Sequence, residues 1–175
     1  MHPATAALVA ELESEAATTR RLLERVPTDR ADWRPHTKSM SLGQLAQHVA
    51  ELPGVIARLA DADSVDASTI DSRPRLPAST EELLATHDAG VAFARSYLES
   101  LSEERAGQRW RMTRGDQELF GVPRLGLLRM LAFNHVYHHR GQLTVYLRLI
   151  DVPVPSVYGP TADENPFAGG GAAGA

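Results

Sequence analysis

Hydrophobic residues recur at three- and four-residue steps in four long stretches of the chain, and each stretch predicts an amphipathic helix. The first runs from about Ala4 to Val26, with Leu8, Leu12, Ala16, Thr19, Leu22, Leu23 and Val26 on its apolar side, and Pro27 closes it. Ser41, followed three residues later by Gln44, is a capping box for a second helix from Leu42 to about Ala60. Leu45, His48, Val49, Leu52, Ile56 and Leu59 share one side of it, and Pro53 predicts a kink. A third helix starts at Ser79 or Thr80, where Glu81 and Glu82 place negative charge at its positive end. It runs to about Leu101, with Leu84, His87, Val91, Ala94 and Leu98 on one side. The fourth, the longest and most apolar, starts near Pro123 and reaches about Ile150.

Between these stretches the pattern breaks. Residues 28–40 read as a connector that Trp33 pins to the core, and 61–78, rich in Asp, Ser and Pro, as a long surface loop. Around Gly115-Asp116, residues 110–120 alternate loosely and fit a short hairpin or an irregular connector equally well. Prolines 153, 155 and 160 mark an extended tail along the bundle. The expectation is an all-α four-helix bundle in one domain, residues 1–166, followed by a disordered Gly/Ala-rich segment, 167–175.

Composition narrows the function. At 175 residues the chain suits one domain, and its net charge of −4 gives no footprint for nucleic acid. No run of eighteen apolar residues offers a membrane span, and the acidic first helix is no secretory leader, so the expected location is the cytoplasm. The absence of cysteine removes disulfides, thiolate metal sites and a protein-borne thiol nucleophile together.

The histidines carry the candidate chemistry. His135 and His139 are one helical turn apart, about 40° around the axis at about 100° per residue, so both rings leave one face and can reach one cation. His48 supplies a third ligand from the second helix, where its apolar neighbours place it inward. A histidine on such a face also commonly donates to a backbone carbonyl instead. His138 pairs with His135 at i, i+3, and spacing does not choose between His138 and His139. His87 reads as a core histidine, while His2 and His36 have nothing near them to recruit. The zinc-peptidase pattern His-Glu-x-x-His is absent, and no helical histidine has a glutamate three residues before it, as di-iron bundles require.

Two segments then resemble a known family. The run from Asn134 to Leu143, which contains His135, His138, His139, Arg140, Gly141 and Gln142, continues through Tyr146-Leu147-Arg148 to Pro153-Val154-Pro155 and Tyr158-Gly159-Pro160. With Ser41 to Val49 and the preceding Trp33, it is similar to the signatures of the DinB/YfiT-like superfamily over about Leu8 to Pro160. The resemblance implies an up-up-down-down bundle whose divalent metal, zinc or nickel, is held by His48, His135 and His139, with His138 a non-ligand. It also implies a homodimer, and members with an assigned activity are thiol-dependent S-transferases and isomerases.

The leading expectation is transfer of a low-molecular-weight thiol to a small-molecule electrophile at a three-histidine metal with an open position. Metal-dependent hydrolysis, with Glu51 or another acid approaching in space as base, is the second reading, and a non-catalytic metal- or ligand-binding dimeric bundle the third. No residue takes a catalytic role on sequence grounds. Gln142 reads equally as a partner of a ligand histidine or substrate and as a polar residue between helices. Arg140 and Arg148 read as ion-pair partners or anchors of the tail, Gly141 as a close-packing position, and Tyr146 as a core aromatic.

Overall fold

In a computed structural model, which describes residues 3–71 and 75–168, the four apolar stretches are helical. They are α1 (Pro3–Leu23), α2 (Leu42–Asp61), α3 (Thr80–Ser100) and a composite final helix. Ser41 caps α2 as its sequence requires: its hydroxyl accepts from the Gln44 amide while the Gln44 side chain accepts from the Ser41 N–H. The helix runs through Pro53 to Asp61. Ser79 caps α3 by accepting from the Glu82 N–H. Among the described residues no helix is long and apolar enough to cross a membrane.

Three features depart from the pattern. A short helix, α4 (Glu103–Gly107), follows α3, and the ambiguous stretch after it is a hairpin, β2 (Arg109–Arg114) and β3 (Gln117–Pro123), turning at Gly115 with φ +56°. The supposed surface loop contributes a strand, β1 (Ser64–Asp66), parallel to β2 with Val65 opposite Met112. The fourth helix is α5 (Arg124–Leu127), a π-helical segment over Leu128–Asn134, and α6 (His135–Leu149). The wide π turn ends directly before His135, a placement frequent near functional sites.

Two apolar clusters hold the bundle. One joins Leu8 and Leu12 of α1 to Leu52, Ile56, Leu98 and Phe133. The other joins Leu22, Leu45, Val49 and Leu83 to Leu143 and Leu147, with Trp33 and Tyr146 packed against it. Trp33 meets Tyr146 edge-on at 5.8 Å, which ties the first connector to α6, and the Tyr146 hydroxyl donates to the Met40 carbonyl.

The end of α2 is finished by side chains from elsewhere. The fully buried Arg124 donates to the carbonyls of Ala60 and Ala62 at 2.6 and 2.8 Å, and to Asp63 at 2.8 Å. Trp110 donates to Leu59 and Tyr97 to Ala60, so carbonyls that a helix end orphans are met from α3, β2 and α5. Arg140, also buried, pairs with Glu15 at 2.6 Å and with the Tyr158 hydroxyl, while Arg148 pairs with Asp163; both arginines anchor the tail. Among the described residues nothing lies within 4 Å of where a Cβ on Gly141 would stand, so its expected close-packing role is not met there. Phe167 and Ala168 lie in a turn, and the rest of the expected disordered segment lies outside the described residues.

Candidate metal centre

Helix α2 and helix α6 face each other, and their histidines converge. His48, His135 and His139 each present a ligand atom, all within 4.8 Å of one another. The His48 ring centroid is 5.2 Å from that of His135 and 4.6 Å from that of His139, and the Nε2 atoms of His135 and His139 are 2.8 Å apart. His138 is exposed and packs its ring edge-on against His139 at 4.9 Å, outside the cluster. Of the two neighbours that spacing left open, it is the ring of His139 that lies with those of His48 and His135. His87 is 2% exposed in the interior, where a core histidine was expected.

The donor set fits a divalent cation. Bonds of about 2.0–2.1 Å at a tetrahedral angle hold two nitrogens about 3.3 Å apart. One pair stands at 2.8 Å, near that value, and all three ligand atoms lie within 4.8 Å of one another. Metal ligation needs neutral imidazoles, and the site favours them. Burial first, then the neighbouring His139 and His135, push the His48 pKa down to about 4. Burial is also the main cause of the lowered values of His135 and His139, in the latter against the opposing hydrogen bond that His139 donates to Gln142.

A cleft of about 260 Å³ opens beside the trio. His48, Glu51 and His135 line it together with Leu52, Val55, Ile56, Leu59 and Leu131. Ile70, Asp71 and Met112 complete it from the connectors, and periodicity carried no signal for them. Glu51 was legible only as a helical neighbour of His48 three residues on; its carboxylate accepts from the Gln47 amide at 2.6 Å. The arrangement places an open, mostly apolar space, one glutamate and three imidazoles side by side.

A helical bundle carrying three convergent histidines from its second and last helices defines the class of protein. The DinB family model matches residues 1–166, and the chain belongs to that family. It is 28% identical over 153 residues to the uncharacterised protein YrdA of Bacillus subtilis (strain 168), a match covering 87% of this chain and 86% of YrdA. Among solved structures it is similar to the DinB-like protein YjoA of Bacillus subtilis, with a TM-score of 0.62 and 24% identity over 83% of this chain and 94% of that one. A DinB-like protein of Bacillus cereus ATCC 10987 gives a TM-score of 0.65 and 22% identity over 85% and 94%. Both structural likenesses establish the fold.

Proposed function

We propose that the chain is a metal-dependent enzyme that transfers a low-molecular-weight thiol to a small apolar electrophile, with His48, His135 and His139 holding a zinc or nickel ion. The observation that carries this reading is the apolar cleft of about 260 Å³ lined by His48 and His135. Held by His48, His135 and His139, a divalent cation would leave a position open and would supply the Lewis acidity that lowers the pKa of a cosubstrate thiol. The chain has no cysteine, so the sulfur comes from a cosubstrate. Leu52, Val55, Ile56, Leu59 and Leu131 bind the carbon skeleton of the electrophile and exclude water from it. In a substitution the new S–C bond forms as the bond to the leaving group breaks, the leaving group departs with the electron pair, and the thiol proton passes to Glu51 or solvent.

The Glu51 carboxylate in the same cleft favours a second reading, hydrolysis, in which it takes a proton from the attacking water. Conjugation of monochlorobimane to a panel of low-molecular-weight thiols, with and without chelator, decides between the two. Turnover that needs both thiol and metal is the expected result. Cleavage of activated esters or amides that needs metal and no thiol replaces it with the second reading. Bound metal with neither activity leaves a binding protein.

A further inference from the structure

Gln142 reaches one of the three histidines: its Oε1 lies 2.7 Å from His139 Nδ1. An amide oxygen only accepts, so the proton between Gln142 and His139 sits on Nδ1. A neutral imidazole has one N–H, which leaves His139 Nε2 bare. That bare atom lies 2.8 Å from His135 Nε2, within the convergent trio.

We infer that Gln142 is a positioning residue that fixes the tautomer and orientation of His139. The bare nitrogen of His139 is thereby turned into the trio and kept ready for a cation. A neutral amide does this without the charge of a carboxylate, which would raise the basicity of the imidazole and blunt the Lewis acidity of a bound ion. This second consequence rests on the cation reading of the trio; the tautomer of His139 does not.

The test uses the metal-free full chain labelled with ¹⁵N, at about pH 8, above the ordinary imidazole range. Long-range ¹H–¹⁵N spectra of the rings report each tautomer directly. His139 is expected as the Nδ1–H form. Gln142 is exposed, so its variants keep the fold. Gln142→Leu is expected to turn the His139 ring into a tautomer mixture, and Gln142→Glu to restore its Nδ1–H form. An unchanged His139 spectrum in Gln142→Leu, or an Nε2–H His139 in the wild type, overturns the inference.

Zinc affinity, measured against a chromophoric chelator, gives the second readout. Gln142→Leu is expected to weaken binding about 10–100-fold, and Gln142→Glu to match or exceed the wild type. Equal losses in both variants mark Gln142 as merely structural and overturn the inference. A wild type that binds no zinc refutes the cation reading while the spectra still decide the tautomer of His139.

Discussion

Gly54 of α2 lies against the Cα of Gly90 in α3, so closely that a methyl carbon on Gly54 would stand 2.7 Å from it. This crossing lets α2 sit deep between its neighbours and present His48 toward α6. The clash is with backbone, which cannot rotate away. Gly54→Ala is therefore expected to destabilise the protein by about 1–3 kcal/mol in urea unfolding. Gly90→Ala, whose nearest neighbour would be the Gly54 nitrogen at 3.2 Å, should cost less. Equal stability of Gly54→Ala and the wild type would show that the helices separate freely.

Alanine at His48, His135 or His139 is expected to remove stoichiometric zinc, measured by elemental analysis of protein purified without a nickel column. His138→Ala should retain it, because that ring stands outside the cluster. Zinc should also raise the melting temperature of the wild type and of His138→Ala alone, since a ligand that binds only the folded state stabilises it. Full metal content in His48→Ala would discard the contribution of α2.

The pH dependence of the metal-free protein follows from its buried imidazoles. Burial lowers the His87 pKa, and that of His48 falls to about 4. The unfolded chain has both near the ordinary value of about 6.5. Between these limits the unfolded state binds the more protons, so stability falls as pH drops below about 6.5 toward 4 and is flat just above. Urea midpoints measured across this range check it, and His87→Leu should show a shallower fall. A midpoint that rises on acidification contradicts the sign.

Arg124→Met keeps an unbranched apolar stem and removes the donors. The carbonyl of Ala62 then loses the donor the structure gives it, and Ala60 retains that of Tyr97. A loss of about 2–3 kcal/mol is expected in thermal or urea unfolding. Amide exchange should rise first at the last turn of α2. Unchanged protection there would mean that water replaces the guanidinium at no cost.

The helices were legible because their apolar spacing is local: Leu45, Val49 and Leu52 name a face without reference to any other segment. The same arithmetic put His135 beside both His138 and His139, the family resemblance chose His139, and the apolar company of His48 marked it as the third member. The strand Ser64–Asp66 was not legible, since its partner Arg111–Thr113 lies more than forty residues on and three residues carry too little alternation to announce a strand. The π-helical turns before His135 escaped notice for a similar reason, because their apolar residues fit an ordinary helix equally well. Arg124 and Arg140, ordinary surface residues by type, proved buried where distant carbonyls and Glu15 receive them.

By itself the sequence determined which segments are helical, where α2 and α3 begin, and which histidines share a helix face, because caps and 3.6-residue periodicity act within a few residues of chain. Only the tertiary structure decided that the ring of His48 meets those of α6, that Gln142 accepts from His139, and that Ile70 and Met112 close a cleft beside them. Those relationships depend on how helices cross and where connectors settle, and packing forces between remote residues set both.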